Sequence, residues 1–379
     1  MDKTAQYFQS TQYPQFLIRD ANEQDDPKLL ALIAETMPSN GMVLSFERLP
    51  SYFQATQVQY NHPLIKLVVS SEDPESIIAM MNLGAKSCFI NEQLSQIRYV
   101  SDLRIQPSAR GKYSIEMLMA FVHSEFPLTE IFQSVVLVDN KIARHILHQE
   151  REFFPQPYIY DQICTYTIAR VQKPHANEYS VVPFEQVSLE HVSAFMEQMK
   201  KFYNFLPDYD FSALLAGNHP FWRDIDPKQM SVVYDADENI KGMFGLWNQK
   251  AFKQTKVVQY SKALKWIKPF YNFYASLFGL IKLPQVQHNF DYLMAHCVLC
   301  DPNDATLFEY MLYQLHLHCK KQGNSSFCLT LSEEDSRNEV LKKIKTHKIH
   351  AIHALHSFES KPFEVLDQSK ISFFEVGRI

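Results

Sequence analysis

The stretch that most limits what this chain can fold into is "IRYVSDLRIQPSARGKYSIEMLMAFVHSEF", from Ile97 to Phe126. Its first half alternates as a strand does, with Tyr99, Ser101, Leu103 and Ile105 on one side and Val100, Asp102 and Arg104 on the other. Its second half repeats as a helix, placing Ile115, Leu118, Met119 and Val122 on one stripe. Between them lies "PSARGKYS", a short basic turn with a single glycine. A helix start leaves main-chain N–H groups unpaired and carries partial positive charge. Gly111 lets the main chain approach a ligand without a Cβ in the way. Arg110 and Lys112 add charge, and Ser114 adds a hydroxyl. Together they would cradle a diphosphate. The turn is too short and too poor in glycine for a P-loop or a dinucleotide fingerprint. The competing reading is a solvated strand-to-helix turn with two basic residues.

The rest of the chain gives that turn a context. Its 379 residues suffice for about two domains. An apolar share of 46% and a charged share of 21% are those of an ordinary globular protein, and a net charge of -5 gives no reason to expect a nucleic-acid binder. The N-terminus has no apolar signal-like region, and no apolar run approaches the roughly 18 residues that span a bilayer, so a cytoplasmic protein is expected. Six cysteines in a chain of this length read as reduced thiols. Cys297 and Cys300 form a lone CxxC in a strand pattern, without a second pair at zinc spacing. His347, His350, His353 and His356 recur every three residues, which tracks neither a helix face nor a strand face. Both groups read as structural, and no metal is expected.

The pattern predicts a strand at Phe16 to Asp20, a helix over "DDPKLLALIAETMP" and a second helix from Ser45 to Thr56. Two strands follow, "LIKLVVSS" and "SIIAMMNLGAKSCFI", and then the strand, turn and helix described above. "QSVVLVD", "NKIARHILHQ" and "ICTYTIARV" read as strand, helix and strand. "QKPHANE", Gln172 to Glu178, suits a linker, and after it the order of elements begins again. The expected architecture is α/β (α+β), with two tandem units over 1–172 and 178–379. Each unit would be a mixed, mostly antiparallel sheet flanked by helices. The second unit carries a segment over 249–290 without Asp or Glu, rich in lysine and aromatic residues. One reading buries Leu264, Ile267, Tyr271 and Phe278 of its helix, with the lysines in solvent. The other is a basic aromatic face for an anionic membrane surface or an acidic partner.

With "YVSDLRIQPSARGKYSIEML", the element order before it and "VDNKIARHIL" after it, the chain resembles the GCN5-related N-acetyltransferase superfamily. The resemblance covers nearly the whole chain, and the second half looks like that of bacterial tandem-domain relatives. The family's pyrophosphate motif, Gln/Arg-x-x-Gly-x-Gly/Ala, falls on Ser108 to Tyr113. Arg110-Gly111 agrees, whereas Ser108 and Tyr113 depart from it. Asn140 and Ala143 match the N-x-x-A of the next helix, whose Asn often contacts the cofactor arm.

The resemblance implies acetyl-CoA, or another acyl-CoA, as cosubstrate and a small amine or amino-acid-like acceptor. It sets the main-chain groups of Leu103 and Ile105 against the pantetheine arm. Arg110, Gly111, Lys112, Tyr113, Ser114 and Asn140 would hold the phosphates and the arm. Asp102 is the leading candidate for base or amine recognition; its competing reading is a structural pairing with Arg104 or main-chain amides. Tyr99 could relay a proton, and Glu47 borders the acceptor cleft. Leu147 stands where the family's acid tyrosine is usual, with Tyr158 and Tyr160 nearby in sequence. The second unit's equivalent turn, "CDPNDATLFEY", has no glycine and no basic residue, so a single cofactor site in the N-terminal unit is expected. Two alternatives stay open: a non-catalytic acyl-CoA sensor, and an aminoacyl-transferring enzyme that uses a charged tRNA.

Overall fold

In the computed structural model, the described residues are 7–34, 37–39, 41–111, 113–147, 151, 154–174, 178–217, 219–278 and 280–379. Lys112, and residues 175–177 of the expected linker, lie outside them.

The first unit is built on β1 (Phe16–Asp20), β2 (Met42–Glu47), β3 (Ile65–Ser70), β4 (Ile77–Asn82), β5 (Ala85–Ile90), β6 (Gln93–Ile105), β7 (Phe132–Leu137) and β8 (Gln156–Ile168). Its helices are α1 (Asp26–Ile33), α2 (Tyr52–Thr56), α3 (Ser114–Glu125) and α4 (Lys141–Leu147). The second unit follows the same plan with β9 (Ser180–Pro183), β10 (Met230–Tyr234), β11 (Ile240–Trp247), β12 (Gln254–Tyr260), β13 (Leu293–Cys300), β14 (Phe327–Ser332) and β15 (His347–Ser357). Its longer helices are α5 (Leu189–Met199), α6 (Lys262–Phe278) and α7 (Ala305–Lys321). Among the described residues, no helix is long and apolar enough to cross a membrane.

Among the described residues, one 15-stranded sheet runs through both units. Its main path is β1-β3-β4-β6-β7-β15-β8-β14-β13-β11-β10-β9 after a short edge strand at Phe8–Gln9. The order contains an exchange. β15, near the end of the chain, pairs with β7 of the first unit, and β8 of the first unit pairs with β14 of the second. β8 and β15 pair with each other over eleven residue pairs at the centre. Main-chain ladders therefore join the units, rather than side-chain contact alone.

Helices cover both faces. In the first unit α3 buries Met117, Leu118, Phe121 and Val122 on Ile18, Val68 and Ala79. Ile115, expected inward, is half-buried, so the buried stripe is rotated from the one read off the sequence. α1 and Tyr52 pack on Leu67, Val69 and Met80 of the opposite face. β3 reads as a continuous apolar run because both its faces are buried.

Three expectations on elements are corrected. Ser45 to Thr56 is not one helix: β2 holds Glu47, and a short helix starts only at Tyr52. The reason is tertiary, since β2 finds an antiparallel partner in β12, about 210 residues later in the chain. "SIIAMMNLGAKSCFI" is two strands, broken around Leu83-Gly84. In α6, Leu264 and Tyr271 pack toward Leu44, Val257 and Leu283, but Ile267 and Phe278 are exposed.

Candidate active site

β6 and β7 run parallel and pair only from Arg98 to Val100, with Phe132 to Ser134. Beyond Val100 they diverge, and Ser101 to Ile105 form one wall of a wedge. Asp102 takes a left-handed conformation, φ +51°, where the β4–β6 register shifts. This bulge breaks the alternation expected from the sequence. Leu103 and Ile105 join Val100 on the α3 side, while Tyr99 and Ser101 share contacts with Tyr60 on the other. The strand changes face at one residue.

From Ile105 the chain turns into α3. Gly111 is left-handed at φ +76°, and a Cβ there would meet no atom within 4 Å. Tyr113, at φ +65°, precedes the helix without capping it by a side-chain hydrogen bond. Its ring is exposed and stacks on Tyr13 at 6.0 Å. Ser114 is buried at the first helical position. The cradle expected at this turn is therefore open at Gly111, and the residues present fit a diphosphate. Asn140 caps α4: its Oδ1 accepts from the Ala143 N–H at 3.1 Å. Its side-chain oxygen is thus engaged within its own helix.

On the far side of β6 a buried polar cluster surrounds Asp102. Tyr52 Oη donates to Asp102 Oδ2 at 3.0 Å, and Arg48 Nη2 lies 3.9 Å from Oδ1. Arg104, the partner in the competing reading, donates to the Leu103 carbonyl instead. The hydroxyls of Tyr60 and Ser101 are 2.5 Å apart. Tyr52, Tyr60 and Tyr99 are all buried, and burial, with the Asp102 charge behind it, raises their hydroxyl pKa values. These tyrosines stay protonated at neutral pH.

Two lysines complete the cluster. Lys86 Nζ sits 3.4 Å from the Tyr99 ring centroid and donates to the Arg378 carbonyl at 3.1 Å. Burial pulls its amine down to about 7. Lys253 Nζ donates to the main-chain oxygens of Gly377 and Ile379, and burial, then Arg48, lowers it well below the usual range. Lys253 comes from the 249–290 segment and Arg378 from the second unit, so both units build this site.

The other candidates lie apart. Glu47 is on β2, its carboxylate engaged by Lys256 at 2.7 Å and Ser45 at 3.3 Å. Tyr160 stacks on Phe363 and meets His353 and Phe205 edge-on, and Tyr158 also packs on Phe363. Leu147 ends α4. The structure thus groups Asp102 with Tyr99 but ties Glu47, Tyr158 and Tyr160 to other partners.

The second unit repeats the wedge. β13 and β14 pair in parallel only at Leu293 and Met294, and Cys297 is left-handed at φ +49°. Here, however, the exposed strand edge is filled. Cys297 N donates to Glu375 Oε1 at 2.7 Å, Arg337 Nη1 donates to the Val298 carbonyl at 3.0 Å, and Tyr203 Oη donates to the Cys300 carbonyl at 3.1 Å. Asp304 caps α7 by accepting from Leu307 N at 2.9 Å, which occupies the helix start. His296, Cys297 and Glu375 are close together, but Glu375 is also bound by Arg378 at 3.0 Å, so a cation is already present.

The sequence reading missed Arg48, Tyr52, Tyr60, Lys86, Lys253 and Arg378. No local motif marks them, since they come from separate stretches of chain. The one faint signal is Gly84: a Cβ there would stand 2.3 Å from the Tyr60 ring, so a glycine inside an apolar run records the space that ring needs.

No family model and no curated protein matches the chain by sequence. Solved structures match by shape. A GCN5-related glucosamine N-acetyltransferase region in a fungal multi-domain GH3 beta-N-acetylglucosaminidase aligns over 94% of this chain, at TM-score 0.59 and 10% identity. The chain spans only 39% of that longer protein. N-myristoyltransferase of Saccharomyces cerevisiae, with bound myristoyl-CoA, aligns over 96% of this chain and 86% of its own, at TM-score 0.55 and 9% identity. A GCN5-related N-acetyltransferase from Sphaerobacter thermophilus aligns over 96% and 100%, at TM-score 0.50 and 11% identity.

Proposed function

We propose that this chain, which has the fold of the GCN5-related N-acetyltransferases, is an acyl-CoA-dependent N-acyltransferase with its cosubstrate in the first unit. The observation that carries this is the contrast between the two wedges. In the second, side chains hold the strand edge and an aspartate holds the helix start. In the first, the turn at Gly111 is open and α3 starts without a side-chain cap. A helix start of this kind favours phosphate.

The main-chain groups of Leu103 and Ile105, with Arg110, Gly111, Tyr113 and Ser114 and the neighbouring Lys112 and Asn140, would hold the acyl-CoA. When bound, it supplies a thioester carbonyl that an amine can attack, giving an amide and a free thiol. The protein must align that amine and take its proton. Asp102 is the proposed receiver, since the bulge turns it away from the α3 side and Tyr52 and Arg48 orient its carboxylate. Tyr99 and Ser101 line the same side. Arg48, 3.9 Å from Asp102, favours an acceptor that carries a carboxylate beside its amine, hence an amino-acid-like one. Acetyl-CoA is the first acyl donor to test.

A second reading, an acyl-CoA-binding protein without transfer, is supported by Tyr160, which is packed on Phe363 and His353 rather than beside Asp102. Release of free thiol from acetyl-CoA, followed against a panel of amino acids and amines, separates the two. Amine-dependent release supports the transferase. Tight calorimetric binding of acetyl-CoA with no release from any acceptor supports the sensor. No binding at all removes both.

A further inference from the structure

Apolar side chains on a surface helix normally face the protein. In α6 they do the reverse. Trp266, Phe270, Phe273 and Leu277 recur at i, i+4, i+7 and i+11 and form one outward stripe. Trp266 is 80% exposed, Phe270 78% and Phe273 69%. Ile267, Tyr274 and Phe278 lie one position on and are also exposed. The opposite side packs on the protein through Leu264, Tyr271 and Ala275. A contiguous exposed apolar face of this kind marks a contact surface.

Its charge says what the contact is. No acidic residue occurs from Gln249 to Phe290. Lys262 and Lys265 open the helix, Lys282 follows it, and Lys345 lies 3.9 Å from the centre of the Phe278 ring. Two copies of this face set together would oppose lysine to lysine. An anionic bilayer surface offers the complement, with headgroups for the lysines and an interfacial zone for tryptophan, tyrosine and phenylalanine. We infer that α6 docks the protein on anionic phospholipid, lying in the interface plane with the Trp266–Phe270–Phe273–Leu277 stripe inserted.

Tryptophan fluorescence reports the event directly. The chain has three tryptophans, and Trp222 and Trp247 are buried, so an emission shift on binding arises at Trp266. The full chain is mixed with vesicles of 3:1 phosphatidylcholine and phosphatidylglycerol, or of phosphatidylcholine alone, at low and at physiological salt. The expected result is a blue shift and co-sedimentation with the anionic vesicles, weakened by salt and at least tenfold weaker on phosphatidylcholine. Phe270→Ser with Phe273→Ser should lower partitioning at least tenfold with the melting temperature unchanged; Lys262→Glu with Lys265→Glu should do so without touching the apolar stripe. Three results overturn the inference: no binding to anionic vesicles at low salt, binding by both double variants equal to the parent's, or a blue shift that grows with protein concentration without lipid, which makes the face a contact between copies.

Discussion

At the scale of single residues, one backbone torsion divides the site. Strict alternation places Asp102 opposite Tyr99, but its left-handed φ of +51° consumes an extra position and turns the strand over. Sequence alternation cannot show this, because aspartate is one of the residues that enter that region at modest cost. Asp102→Asn keeps the shape and removes the charge. Turnover in the thiol-release assay should fall about 100-fold or more. Unchanged turnover would assign the proton to another group. Gly84 is the second such point. A methyl group at that position would meet the Tyr60 ring at 2.3 Å, so Gly84→Ala should destabilise the fold by about 1–3 kcal/mol. Urea denaturation measures that cost, and a midpoint equal to the parent's would show that the ring moves aside freely.

Elements show how one plan yields two outcomes. Each wedge precedes a helix, and the residues before that helix set its electrostatics. "SARGKYS" leaves an open glycine and basic neighbours, whereas "CDPNDA" sets Asp304 on the helix start. That difference is legible in the sequence, because capping acts within one turn of the helix. Reversing the charge and filling the space, with Arg110→Glu and Gly111→Val, should weaken acetyl-CoA binding at least tenfold in calorimetry. Retained affinity would move the cosubstrate away from α3. The Ser45–Thr56 segment is less legible. Its strand exists because β12 pairs with it from the second unit, a contact no local window contains. The outward stripe of α6 is hidden for a related reason. Periodicity identifies two apolar faces on such an aromatic-rich helix, but not which of them meets the protein.

At the scale of the whole molecule, the exchange of β8 and β15 makes the two units one folding problem. Histidines sit on that seam. His353 is fully buried and meets Gln133 of β7 at 3.1 Å, and His356 meets Ser134 at 2.7 Å. Their three-residue spacing, which fits neither helix nor strand face, here places successive histidines on alternate faces of β15. Burial pulls His353 to about 3 and His356 to about 4. Both are neutral in the folded chain, while the unfolded chain takes up their protons below about pH 6.5. Their contribution is therefore fully present above about pH 6.5 and is lost as pH falls toward 4. Each imidazole adds up to about 1.4 kcal/mol per pH unit to that slope. The urea midpoint should drop between pH 7 and pH 5, and His353→Gln with His356→Gln should flatten the drop. An unchanged slope would place its source elsewhere.

The sequence alone determined what depends on neighbours within a few residues: the strand–turn–helix at Gly111, the contrast between a basic and an acidic helix start, and the doubled order of elements. Those follow from side-chain period, capping and backbone freedom, which are local. Only the tertiary structure decided which strands pair across the exchange, that Tyr52 and Arg48 meet at Asp102 while Lys86 and Lys253 reach the main chain of residues 377–379, and that the second wedge is filled by Arg337 and Glu375. Those depend on contacts between residues tens to hundreds of positions apart, where burial rather than local preference sets the free energy.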